Sequence, residues 1–270
     1  MREAHDKQLT VIDREFKLGI IDNFAEYPHF VEMTERRNLF VHGGGVVTKF
    51  YLKRCMEVGY TIGKDVKVGT ALNVSQEYFD KAVMCLFELG FRLGFALACR
   101  LYPDKLNEIH NVLLADIGFP LLMVERWETA RRLFAFALSW PDKFVPNDEF
   151  RRYHVVNTAL ALNHLGRHEE ALTLLSKYDW SSQSDKLLLA VSIIRRKWTE
   201  AERIMSNMDG NRPFSEDDYR TWPIFKEFRS TKEFRNAYTK LYGKKYVAHL
   251  TKTDTDQIQK LSEKKIEANA

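Results

Sequence analysis

What this chain lacks narrows its chemistry before any motif is considered. Its 270 residues include three cysteines, Cys55, Cys85 and Cys99, an odd set without paired spacing. Such a set fits neither a disulfide framework nor a cysteine-pair metal site, and reads as small core residues in a reducing compartment. No glycine-rich phosphate loop, nucleophile elbow or two-cysteine pair occurs, which disfavours metal-dependent and nucleotide-hydrolysing enzymes. His154, His164 and His168 lie close in sequence but have no carboxylate or thiolate partners in a convincing set. They read as solvated or capping side chains, so neither metal nor cofactor is expected. No apolar run approaches about 18 residues, and Met1 is not followed by a basic-then-apolar leader or a lipidation signal. A soluble, cytoplasmic protein without a membrane partner is the expectation. Strong charge is missing too: the formal net charge of +4 does not announce a nucleic-acid binder in bulk and leaves room only for a local basic site.

What is present is helical periodicity. Leu9, Ile12, Phe16, Ile20 and Ile21 recur at helical intervals, and Pro28 marks the entry to a second helix, where a proline suits the first turn. Phe50 to Tyr60 continues as helix or turn. Gly59, Gly63 and Gly69 with alternating Val66 and Val68 then predict a loop or short hairpin. From Ser75 to Leu101 the apolar pattern predicts one long, mostly buried helix that Pro103 ends. Gly90 and Gly94, four apart within it, would allow another backbone to approach, either in the core or across a dimer.

Beyond Pro103 the chain becomes repetitive. Leu160 to Leu175, with Gly166 and Ala171 at the corner, resembles a tetratricopeptide repeat. Leu188 to Met205 is a weaker copy around Trp198 and Ala201, and Leu114 to Ala137 a degenerate one, in which Arg126 to Ala130 match Arg167 to Ala171. Helix pairs of this kind stack to bury a core that no single pair could. Trp222 to Arg229 with Phe234, Tyr238 and Tyr242 predict a final aromatic cap, and Thr251 to Ala270 a polar, weakly ordered end.

Polar chemistry is crowded into one stretch, Glu35 to Tyr51. Its helix runs into Gly43, Gly44 and Gly45, residues that accept the left-handed backbone of a C-cap, so His42 falls in the last turn. At roughly 100° per residue, Asn38 shares nearly the same face as His42, while Arg37 is displaced by about 140°. Arg37 would need its full length, or a second copy of the chain, to share a phosphate with His42. An imidazole that titrates near neutrality and a guanidinium for phosphate oxygens are what metal-free RNA cleavage requires. Spacing alone does not separate this from a surface arginine and a helix-capping histidine.

The wider segment carries more. Glu35-Arg-Arg-Asn-Leu-Phe-Val-His42, the glycines, Val46-Val47 and Tyr51-Leu52 resemble the HEPN domain, in its defence-associated branch with an Arg-Asn-x-x-x-His signature. The resemblance continues through Gly63 to Val68 and Val74 to Phe79 into the helix ending near Tyr102. It implies an all-α protein in which a helical bundle dimerises, brings two motifs together and cuts RNA without metal. Arg37 is then the phosphate ligand, His42 the acid or base and Asn38 the polar residue beside the arginine. Arg36, Lys49, Lys53 and Arg54 form the local basic set expected to bind RNA. The expected organisation is a HEPN-like bundle over residues 1–104, a short α-solenoid of tetratricopeptide-like helix pairs with its aromatic cap over 105–248, and a polar tail over 249–270. The expected activity is that of a metal-independent endoribonuclease in defence or toxin-antitoxin control. The alternative is a catalytically inactive dimeric scaffold whose repeats bind a partner protein.

Overall fold

The computed structural model describes residues 5–208 and 214–247, so the polar tail expected at 249–270 lies outside the described residues. The protein is all-α. Thirteen helices follow one another among the described residues: α1 His5–Phe16, α2 Tyr27–Gly43, α3 Lys49–Glu57, α4 Gln76–Leu101, α5 Leu106–Asn111, α6 Phe119–Met123, α7 Trp127–Leu138, α8 Asp148–His164, α9 His168–Ser176, α10 Asp185–Ile194, α11 Trp198–Ser206, α12 Glu216–Thr221 and α13 Lys232–Tyr242. Of the loop or short hairpin expected around Val66 and Val68, the loop is what forms. An isolated antiparallel bridge joins Val46 to Ala71.

Packing divides the chain into two compact units, 1–161 and 162–270, with the division inside α8 and not at residue 104. The physical reason lies in α4, which packs against α5 and α7, so the helices after Pro103 complete its unit.

Local chemistry sets the helix ends. Ser75 caps α4 by accepting from the Tyr78 amide, and Thr48 caps α3 by accepting from Tyr51. The inward side of α4 buries Cys85, Leu89, Phe95, Ala96 and Cys99 together with a charged pair, Glu88 and Arg92. Arg92 donates two bonds to Glu88 Oε1, at 3.0 and 2.8 Å. Arg132 of α7 bonds the other Glu88 oxygen at 3.2 Å and Glu26 at 2.7 Å, linking α4, α7 and the entry to α2. Contrary to the expectation of a mostly buried helix, the opposite side of α4 is exposed and apolar: Phe79 is 55% and Leu86 53% accessible, and Val83 and Phe87 are exposed beside them. Cβ atoms added at Gly90 and Gly94 would meet open space. By length and hydropathy α4 is the one described helix that could cross a membrane. Its buried ion pair and its contacts with α2, α5 and α7 make it a core helix of this unit.

A corner of one geometry, also present at Lys17 and Gly59, is followed by a buried alanine in three places. Glu125, Gly166 and Arg196 all have positive φ, at 59°, 75° and 55°. The amide after each reaches back to the carbonyl five residues earlier: Arg126 to Leu121, Arg167 to Leu162, and Lys197 to Ser192, at 2.8, 2.9 and 2.9 Å. A fully buried alanine follows each corner, Ala130, Ala171 and Ala201. In the C-terminal unit Tyr219, Phe225, Phe228, Phe234 and Tyr238 share one buried cluster with Leu189, Ile193, Ile204 and Met205.

His154 departs from the solvated or capping role expected of it. It is fully buried beside His110, whose Nε2–H donates to the Phe144 carbonyl at 2.9 Å. His110 Nδ1 therefore accepts, at 2.7 Å, from His154 Nε2–H, and His154 Nδ1 has no hydrogen-bond partner among the described residues. The π-helical turn Val112–Gly118 follows, and a side chain at Gly118 would collide with the Phe134 ring. Burial pushes the His154 imidazole down to about 3, with His110 and Arg151 adding to the effect, and burial lowers His110 as well. The native state thus binds fewer protons here than the unfolded chain, whose histidines titrate near 6.5. The contribution of His154 is full above about pH 6.5 and falls as the pH drops toward 3, by about 1.4 kcal/mol per pH unit in mid-range, and His110 acts in the same direction. Thermal denaturation between pH 7 and pH 5 should show this fall, and His154→Gln should flatten the slope.

Candidate functional site

The segment that carries the sequence motif is the outer half of α2 and the turn beyond it. α2 begins with Pro28 in its first turn and ends in a left-handed C-cap at Gly44, φ 60°. Gly45 also has positive φ, 77°, and a Cβ there would press to 2.8 Å from the Phe40 ring, so both the turn and the packing require glycine. The Gly45 amide takes the Leu39 carbonyl at 3.0 Å and the Val46 amide that of Gly43 at 3.1 Å. The last-turn carbonyls beside His42 are therefore partly satisfied by the turn itself, against the expectation that no later amide reaches them. His42 and Arg37 are exposed and Asn38 is half-buried. Arg37 Nη1 donates to Asn38 Oδ1 at 3.3 Å, so the two form one polar unit on the helix surface.

Beneath this surface lies a network that the motif alone does not reveal. Glu32, two turns before Asn38 and 0% exposed, is an acceptor for three side chains. Arg36 Nε donates at 2.7 Å, the Tyr51 hydroxyl of α3 at 2.6 Å and the Tyr78 hydroxyl of α4 at 2.8 Å. Burial works against the charge on Arg36, but Glu32 and Tyr78 more than offset it, so its pKa is raised. Burial and the Glu32 carboxylate likewise raise the Tyr51 and Tyr78 phenols, which stay protonated donors. The Arg36 guanidinium also lies 4.0 Å over the Tyr78 ring and donates to the Asn73 carbonyl at 3.1 Å. That last bond fastens residues 69–73 to α2. Those residues in turn pair with the turn after His42, through Val47 N to Thr70 O and Leu72 N to Gly45 O, both 2.9 Å. Arg36 thus connects the interior of the unit to the exit of the motif helix.

His29 is buried in the same region, stacked on Tyr60 and edge-on to Tyr78. Neither ring nitrogen has a hydrogen-bond partner among the described residues. Burial, then Lys81, lowers its pKa, so the ring is neutral near pH 7 and its 3.6 Å approach to Glu26 is no ion pair.

The expected basic set separates into two kinds. Arg36 is engaged by Glu32, as described. Arg54 is held by Asp6, by Glu57 at 2.7 Å and by Glu35 at 3.5 Å. Both guanidiniums are committed to carboxylates of their own unit, which removes them from the RNA-binding set expected from sequence. Lys53 is exposed and makes only a loose 3.8 Å approach to Glu57, and Lys49 is exposed without an ion pair among the described residues. Arg37, Lys49 and Lys53 are the cations of this region that remain open to an incoming phosphate.

No group of three or more potential metal ligands occurs among the described residues. The Glu32 to Arg36 half of the network was legible as an i, i+4 pair of opposite charge. Its tyrosines, 19 and 46 residues away, were not. No protein-family model, curated protein or solved structure matches the chain.

Proposed function

We propose that this chain is a metal-independent endoribonuclease of the HEPN type, with a tetratricopeptide-like module that senses or binds a partner protein, working in the cytoplasm as a defence effector or toxin. The observation that carries this reading is the exposure of Arg37 and His42, with Asn38 bonded to Arg37, at the solvent end of α2. The alternative, an inactive scaffold that uses the motif only for packing, calls for His42 buried against an apolar wall. The fully buried alanine that follows each of the corners at Glu125, Gly166 and Arg196 supports the repeat reading of the later helices.

In this reaction the ribose 2'-hydroxyl gives its proton to an imidazole, and its oxygen attacks the adjacent phosphorus. The bond from phosphorus to the 5'-oxygen breaks, and that oxygen takes a proton from a second imidazole. The products are a 2',3'-cyclic phosphate and a 5'-hydroxyl end. Arg37 neutralises charge on the phosphorane, where a preorganised cation acts most strongly. One chain offers one His42 and two copies offer both proton carriers, so the active form is a homodimer. The exposed row Phe79, Val83 and Leu86, with the open Gly90 and Gly94 behind it, is a surface suited to a second copy. Incubation of the chain with total RNA and with tRNA in EDTA should yield fragments ending in cyclic phosphate. Intact RNA at every protein concentration would leave the scaffold as the function.

A further inference from the structure

A cavity of about 310 Å³ opens on the C-terminal unit along α10. Its size is at the lower end of the roughly 300–1,000 Å³ usual for small-ligand sites. Leu188, Val191, Ser192 and Arg195 line it at i, i+3, i+4 and i+7, and so form one continuous face of the helix and its end. Asp179, from the connection between α9 and α10, and Glu200 of α11 also line it.

Its polar groups differ in what they already do. An Asp179 oxygen accepts from the Ser181 amide at 2.9 Å, and Glu200 lies 3.5 Å from Lys197. The Arg195 side chain has neither hydrogen bond nor ion pair among the described residues, whereas the adjacent Arg196 is paired with Glu227 at 3.1 Å. Ser192 is the second open polar group of the lining. It is only 3% exposed, yet its hydroxyl bonds nothing among the described residues. Several helical hydroxyls turn back onto their own carbonyls, as Thr173 does to Glu169 at 2.8 Å, which Ser192 does not. The Ser192 oxygen keeps contact with the open cavity and so is free to donate to a ligand there.

The open groups are thus a guanidinium and a hydroxyl one turn apart, beside two aliphatic side chains. A guanidinium fork matches a carboxylate in bidentate fashion. The neighbouring Asp179 and Glu200 disfavour a dianion such as phosphate and favour a ligand with a single negative charge. We propose that this cavity binds the carboxylate of an apolar amino acid, free or at the end of a peptide chain: Arg195 grips the carboxylate, Ser192 donates to it, and Leu188 and Val191 pack on the side chain. The inference rests on the C-terminal unit alone and stands whether or not the chain cuts RNA.

Titration calorimetry on the full chain tests it with four probes: leucine, leucine amide, an N-acetylated tripeptide ending in leucine, and inorganic phosphate. Leucine or the tripeptide should bind, the amide at least tenfold more weakly, and Arg195→Gln should weaken binding at least tenfold, with Ser192→Ala causing a smaller loss. Binding of leucine but not the tripeptide identifies a free amino acid as the source, and the reverse identifies a chain end. Equal binding of the amide, preferential binding of phosphate, no heat from any probe up to roughly 10 mM, or unchanged affinity in an Arg195→Gln variant that melts like the parent would each overturn the proposal.

Discussion

Replacement of His42 by Ala is expected to lower metal-independent RNA cleavage by about 10²–10⁴-fold, the usual contribution of a positioned acid or base. The fold should be untouched, because the side chain is exposed and the helix end is secured by the Gly44 and Gly45 backbone. Arg37→Gln should cost a comparable factor, since a charged donor aimed at developing charge is worth about 10²–10³. Lys49→Ala and Lys53→Ala should instead weaken RNA binding, and more so at low salt, because they act as exposed point charges. The measurement is initial cleavage rate in EDTA with melting temperature recorded beside it. Equal cleavage by the parent and the His42→Ala variant, both insensitive to chelator, would remove His42 from the mechanism.

The largest effect on stability is expected at Glu32. Its carboxylate is inaccessible and accepts from Arg36, Tyr51 and Tyr78, which come from three helices. Glu32→Ala leaves a partly buried guanidinium without its counter-charge and two interior phenols without an acceptor. Breaking a buried ion pair from one side costs about 3–5 kcal/mol, and unsatisfied hydroxyls add to it. A drop in melting temperature on the order of 10 °C follows for a chain of this size. Glu32→Gln keeps an acceptor but not the charge, and should fall between parent and Glu32→Ala. If Glu32→Ala melts within about 2 °C of the parent, the network does not hold the unit together.

Much of the local structure was legible because its signals are local. Pro28 at the start of α2, three glycines at its end, and Ser75 before α4 each act on the backbone within a few residues, and the helices begin and end beside them. The aromatic cluster was legible for a similar reason, since its rings recur at helical spacing. What failed to read depends on distant partners. Arg54 looked like a free cation because Asp6 lies 48 residues earlier, and His154 looked solvated because His110 lies 44 residues away. The left-handed corners at Glu125 and Arg196 carry no glycine to announce them. Only their alignment with Gly166 made them visible. The outward side of α4 was misjudged because its apolar residues run all round the helix. Which side faces inward is decided by Glu88, which pairs with Arg92 on its own helix and with Arg132 on α7.

That inverted arrangement has a consequence for how the protein behaves when handled. Half a turn of α4 would hide Phe79, Val83 and Leu86, but it would also drag Glu88 and Arg92 into water and strip Arg132 of a counter-ion. The charged pair therefore acts as a ratchet that forbids the helix from rolling to shelter its greasy side. Preparations should accordingly be sensitive to salting-out agents such as sulfate, which penalise uncovered hydrocarbon and spare charge.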